Sequence, residues 1–341
     1  MTARRRIDVH SHFVPEWFPD RPALSSCSCW PRNIEAPSGR SILFGSKPFR
    51  ALDERCWNPE LRVAAMLADN VDAQVLSPMP ELLSHWMTAE DALALARHVN
   101  DELCRFTAYS PKQFCALGMI PMQDVRLAIS ELNRLRFELG FAGIEVGASM
   151  AGSAFADPRF HPIYAEAERL DMAVLVHPVR TAISELLGAE DWLLPVVGYP
   201  LDQALAVASA MMNQLPDRFP QLRVAFTHGG GAYFAVHPRL IKAWASVPAL
   251  QNRRGSTPAV SLQHLYFDLL TYDERLHRLL RETVGEERLL IGSDFPFAIR
   301  QPNPGVFDDT ADTTEDWQLK VDTLNPARFL GVDPATLQRN A

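Results

Sequence analysis

The sequence predicts a (β/α)8 TIM-type barrel, and three observations predict it. Eight short apolar, β-branched runs recur along the 341 residues. They are mostly continuous instead of alternating, as strands buried on both faces of a parallel sheet should be. Amphipathic helical stretches separate them, so the pattern is eight βα units in series. A doubly wound open sheet is the competing fold, but it would carry a Gly-x-Gly-x-x-Gly turn after its first strand, and none follows here. One barrel domain over residues 1–341 is the expected organisation.

The elements follow in order. Ile7–His10 is the first strand. The stretch 13–57 then separates it from its helix by about 45 residues rich in Pro, Ser, Arg and Trp, a length that in compact domains marks function or disorder. On a barrel this insertion leaves the C-terminal face, where active sites sit, so it is a candidate lid. Asn58-Pro59-Glu60 reads as a helix cap followed by proline at the first helical position. Strand and helix then alternate: Ala73–Ser77 with Ala89–Tyr109, Phe114–Ile120 with Val125–Leu139, and Ala142–Gly147 with Pro162–Arg169. Met172–His177 precedes Leu201–Leu215, Leu222–His228 precedes Arg239–Ser246, and Leu265–Leu269 precedes Glu274–Val284. Leu289–Asp294 is the eighth strand, followed by an acidic, loop-like stretch from Pro302 to Asp316.

Composition narrows the function. A net charge of −8 (33 basic against 41 acidic side chains) excludes a charge-driven nucleic-acid binder. No apolar run reaches the roughly 18–20 residues of a membrane helix. Met1–Arg6 is basic, but no apolar signal core follows it. Five cysteines, with only Cys27 and Cys29 close together, argue against a disulfide framework, and a reducing cytoplasm is the expected location. Cys27-Ser28-Cys29 lacks the second pair that a structural metal site needs, so plain loop thiols are the better reading.

The chemistry sits at strand ends. His10 and His12, two apart, can point the same way from strand 1. Strand 5 ends in His177, strand 6 in His228-Gly229-Gly230-Gly231, and strand 8 in Asp294. Four of eight strands therefore end in a metal ligand or proton-transfer group on one face, which separate capping residues rarely produce by chance. Three neutral imidazoles and a carboxylate suit one borderline divalent ion such as zinc, with a position open for water. His10, His12, His177 and Asp294 are assigned to the metal, and His228 to proton transfer.

This pattern resembles the amidohydrolase superfamily, whose ligands come from those strands. Its dinuclear members carry a bridging lysine on strand 4; none of the four lysines here (Lys47, Lys112, Lys242, Lys320) lies near it, and Glu145 is the residue that could bridge instead. One metal is the expectation. Within the superfamily the chain is similar to the 2-amino-3-carboxymuconate-6-semialdehyde decarboxylase family over nearly its whole length. The resemblance rests on Asp8-Val9-His10-Ser11-His12, Phe49-Arg50 with Cys56-Trp57-Asn58-Pro59-Glu60, and Pro162–Arg169. It continues through His228-Gly229-Gly230-Gly231-Ala232 and Gly292-Ser293-Asp294-Phe295-Pro296-Phe297.

The resemblance implies that Arg50 grips a substrate carboxylate and that Arg239 enters the neighbouring subunit's site, making a homodimer. It puts Trp192 and Phe297 on the pocket wall. Guanidinium groups suit a dicarboxylate, which they can hold in bidentate fashion. The chain departs from the family after His177-Pro178, where Val179-Arg180 stand in place of tryptophan and an acidic residue. The implied reaction is a non-oxidative decarboxylation without organic cofactor. Zinc and His228 deprotonate a water that adds to the conjugated bond, and CO2 then leaves. The alternatives are an aromatic, hydroxybenzoate-type acid decarboxylase, a metal hydrolase of an amide or lactone, and a metal-free scaffold on the same barrel.

Overall fold

A computed structural model describes residues 4–20, 27–36, 39–150, 152–179, 192–253, 255–307 and 314–337. The barrel strands are β1 (Ile7–Phe13), β2 (Ala73–Pro78), β3 (Phe114–Gly118), β4 (Gly143–Gly147), β5 (Ala173–His177), β6 (Val224–Phe226), β7 (Tyr266–Asp268) and β8 (Leu289–Leu290). They form one eight-stranded parallel sheet in chain order. The sheet closes on itself through backbone bonds Val9 N–H to Ile291 O (3.0 Å), His12 N–H to Phe295 O (2.7 Å) and Asp294 N–H to His10 O (2.8 Å). All eight expected strands are present. The sixth and eighth are shorter than their apolar runs, because the chain turns out of the ladder to present His228 and Asp294.

The principal helices are α1 (Pro59–Ala68), α2 (Ala89–Ala108), α3 (Val125–Phe137), α4 (His161–Arg169), α5 (Tyr199–Met212), α6 (Tyr233–Ser246), α7 (Glu274–Val284) and α8 (Asn325–Leu330). Asn58 caps α1, its side chain accepting from the Glu60 and Leu61 N–H groups. Helix α6 begins six residues before the expected Arg239, running through Pro238. A lining of Ile7, Val9, Val75, Leu117, Leu175 and Leu290 fills the barrel, and Phe329 and Leu330 of α8 pack against this group. The sequence reading had not found α8.

The insertion after β1 is more ordered than the expected loop. Its described part holds a three-stranded antiparallel sheet of Pro31–Ala36, Gly39–Phe44 and Lys47–Leu52. The last strand runs Arg50 opposite Ile42. Short, half-exposed strands in a polar stretch leave no long apolar run, which is why they read as loop. The expected loop after β8 is described at 302–307 and again from 314, where Glu315–Leu319 is helical. No helix among the described residues is long and apolar enough to cross a membrane.

Candidate metal centre

Strand ends build the site. His10 and His12 project from β1, His10 within a register shift between Asp8 and Ser11 and His12 just beyond it. The shift carries two buried imidazoles into the mouth while Asp8 stays behind them. Asp8 accepts from the Ser293 N–H (3.0 Å), the Ser293 hydroxyl (2.6 Å), the Gln74 amide (2.9 Å) and the His10 N–H (3.2 Å). One buried carboxylate thus ties the first strand to the Ser293-Asp294 turn. Arg62, fully buried, closes the network on Gln74 (2.8 Å) and on the His12 carbonyl (2.7 Å).

The turns themselves are unusual. Asp294 (φ 60°) and His228 (φ 53°) both adopt left-handed backbone, a strained conformation for residues with side chains and one that clusters at functional sites. Glycines follow His228 for a steric reason: a side chain on Gly231 would collide with the Pro200 carbonyl, and one on Gly229 with Thr271.

One ligand atom from each of His10, His12, His177 and Asp294 lies within 4.8 Å of the others, and all four residues are buried. His10 Nε2 is 3.2 Å from His12 Nε2, and Asp294 Oδ1 is 3.0 Å from His12 Nε2 and 3.7 Å from His10 Nε2. Despite that proximity Asp294 Oδ1 has no hydrogen-bond partner among the described residues. A buried carboxylate oxygen left unbonded among imidazoles that share its focus fits a cation at their centre. His228 joins from the sixth strand, its Nε2 3.3 Å from His177 Nε2 and its ring 5.0 Å from those of His10 and His177.

The protonation states fit a metal as well. Burial lowers His12 and His228 to about 4 and carries His177 well below its ordinary value, so these three rings are neutral. For His10 burial works the same way, but the hydrogen bond and charge of Asp268, with Asp294 and Asp8 nearby, hold it at about 9. The carboxylates that favour a proton on this ring favour a metal cation against its Nε2 in the same way, and the cation would displace that proton. Asp294 loses stability as a charged group through burial, yet the surrounding imidazoles bring it down to about 2.

Sequence reasoning missed Asp268. Its Oδ2 is 2.7 Å from His10 Nδ1, while Oδ1 accepts from Gly229 N–H (2.8 Å) and Leu270 N–H (3.2 Å). It therefore orients His10 and anchors the loop that follows His228, the second contact a ligating histidine commonly has. Its signal was present, an acid ending the seventh apolar run, but the run was read as ending one residue later in leucine. Glu145 is buried and rises to about 8 through burial, and it is not among the four converging ligand residues.

A cavity of about 960 Å³ opens over the cluster. Arg50 lines it from the insertion, half-buried, with its guanidinium 4.0 Å from the Phe297 ring centroid and 3.8 Å from Glu81. Phe297 stacks on His12 at 5.1 Å and 20°. Trp192 lies on the cavity edge, 62% exposed. Glu81 and Tyr199, joined at 3.0 Å, also line the wall and were not anticipated. Arg239 stands apart: it is exposed on α6 and does not line its own chain's cavity. Arg180 lies outside the described residues.

A family profile described as amidohydrolase matches residues 7–332. A 2-amino-3-carboxymuconate-6-semialdehyde decarboxylase from Dictyostelium discoideum is 31% identical, covering 96% of this chain and 92% of its own. A gamma-resorcylate decarboxylase from Rhodococcus jostii is 28% identical, covering 80% and 88%. Among solved structures, a dihydroxybenzoic acid decarboxylase from Polaromonas sp., with bound manganese and the inhibitor 2-nitroresorcinol, superposes with a TM-score of 0.74. That match has 20% identity and covers 96% of this chain and 97% of the other. A strand-end ligand set on a closed barrel and a match over nearly the whole chain lead to one assignment: the chain belongs to the amidohydrolase superfamily, in the 2-amino-3-carboxymuconate-6-semialdehyde decarboxylase family.

Proposed function

We propose that the protein is a non-oxidative decarboxylase of 2-amino-3-carboxymuconate-6-semialdehyde or a close muconate-semialdehyde analogue. The observation that carries this reading is the convergence of His10, His12, His177 and Asp294, with His228 beside them and Arg50 on the same cavity wall. The four ligands would hold one divalent ion, which supplies an acidified water and polarises the substrate. Zinc suits three nitrogens and one oxygen best, although the manganese in a structural relative makes that ion the first competitor.

The chain's own groups do the rest. His228 is neutral and can accept a proton at Nε2, then return it to the carbon that loses CO2. Arg50 binds a substrate carboxylate in fork geometry, held against Phe297 so that the carboxylate is oriented across the cavity. Asp268 keeps the His10 ring and the His228 loop in register. Arg239 serves the partner's site in a homodimer. The reading is supported by its exposure away from its own cavity, and by the exposed apolar side chains Val236 on α6 and Leu201 and Leu205 on α5.

The second reading is an aromatic acid decarboxylase, favoured by the gamma-resorcylate relative and by a cavity roomy enough for a substituted ring. Comparing kcat/KM on freshly generated carboxymuconate semialdehyde with that on 2,6-dihydroxybenzoate separates the two. We expect the muconate to be preferred at least tenfold. A preference for the benzoate overturns the substrate assignment and leaves decarboxylation standing. Turnover of an amide or lactone without CO2 overturns both.

A further inference from the structure

A second cavity lies on the same face of the barrel, over strands β2 to β4, and shares no lining residue with the metal cavity. Its volume is about 150 Å³, the size of an apolar cavity that takes one benzene ring. Its walls are Met122, Met150, Phe160 and Val125, with Arg159 on the lining.

Among the described residues, two side chains on this lining, His85 and Gln123, carry buried polar atoms with no hydrogen-bond partner. Both ring nitrogens of His85 are unbonded, and burial brings the ring to about 4, so it is neutral and offers one N–H and one lone pair. Gln123 has its orientation fixed, since its amide N–H groups donate to the Ser84 (2.7 Å) and Met87 (3.2 Å) carbonyls. Its Oε1 is left buried and unbonded. Unmade hydrogen bonds of this kind are costly in a folded interior, which points to a ligand that makes them. An N–H donor and a carbonyl acceptor on one small cavity match a hydroxyl group, which accepts one bond and donates one. Thioethers and a phenyl ring around it suit an aromatic body. Arg159, paired only loosely with Asp157 (3.9 Å) and half-exposed, suits a carboxylate at the rim.

We propose that this cavity is a separate binding site for a single-ring phenolic carboxylate. The hydroxyl lies between His85 and Gln123, the ring lies among Met122, Met150 and Phe160, and the carboxylate faces Arg159. The site adjoins the metal centre through one residue: a side chain on Gly147 would meet His85 Nε2 at 2.7 Å, and Gly147 pairs with His177 across β4 and β5. The proposal stands on the cavity alone and does not depend on the decarboxylase reading.

Calorimetric titration of the metal-loaded protein with 4-hydroxybenzoate tests it. Met150→Trp fills the cavity with an indole, and we expect it to bind one equivalent fewer than the wild type while metal content and turnover stay unchanged. His85→Phe keeps a ring on Gly147 but removes both nitrogens. We expect it to weaken 4-hydroxybenzoate at this site about tenfold, with benzoate unaffected, for the loss of one hydrogen-bonding group. Equal stoichiometry in wild type and Met150→Trp means the cavity holds water alone and overturns the proposal. Unchanged 4-hydroxybenzoate affinity in His85→Phe overturns the hydroxyl assignment.

Discussion

Asp268 shows how much of this site depends on groups that touch no substrate. It holds the ring of His10, a proposed ligand, on one oxygen and the loop of the proposed proton-transfer histidine on the other. Asp268→Ala is therefore expected to weaken metal binding about 10–100-fold, measured by competition with a chromophoric chelator. His228→Ala separates the roles: metal content should remain at one per chain while turnover falls about 10²–10⁴-fold. Wild-type turnover in that variant removes His228 from proton transfer. Glu145→Gln should leave metal stoichiometry unchanged, because its carboxylate is not in the converging set; loss of an ion would restore a bridging role. The convergence of His10, His12, His177 and Asp294 was legible in the sequence because each ends an apolar run and is itself a strong donor. Asp268 was hidden because an acid one residue before an apolar strand's apparent end looks like a turn. Glu81 and Tyr199 were hidden because their pairing joins residues 118 positions apart.

At the scale of elements, the barrel strands were legible and the insertion was not. Buried parallel strands are written as unbroken apolar runs, whereas the sheet of residues 31–52 is half-exposed and its pattern is diluted by Arg, Ser and Pro. That sheet matters because it carries Arg50 to the cavity wall. Helix α5 offers a test of burial. Asp202 is 2% exposed and accepts from Ser149 (3.2 Å), and burial raises it to about 6 from 3.8. The folded state therefore holds this proton more tightly than the unfolded chain. Its contribution is most favourable below about pH 4, declines as pH rises to about 6, and is level above that. Asp202→Asn should stabilise the protein by about 1–3 kcal/mol at pH 7 and by little at pH 4, read from denaturant midpoints. Equal effects at both pH values would show that the carboxyl is not raised.

For the whole molecule, closure of β8 onto β1 brings residues almost 300 positions apart into one centre, with Asp8 on Ser293 as the fastener. Sequence could supply the strand order, because eight units in series have one simple closed arrangement. It could not supply α8, whose short, proline-containing segment reads as a tail until the barrel floor it packs against exists. Assembly is the largest step beyond one chain. Arg239→Ala and His228→Ala proteins, each inactive, should regain activity on mixing if Arg239 completes the partner's site, since a mixed dimer contains one intact centre. Continued inactivity after verified subunit exchange would return Arg239 to the surface. The most direct test of the central claim is CO2 trapped per molecule of carboxymuconate semialdehyde consumed, measured on metal-stripped and zinc-reconstituted protein. The account predicts one CO2 per substrate after reconstitution and none when stripped. Equal CO2 release by the stripped protein, or substrate loss without CO2, would contradict it.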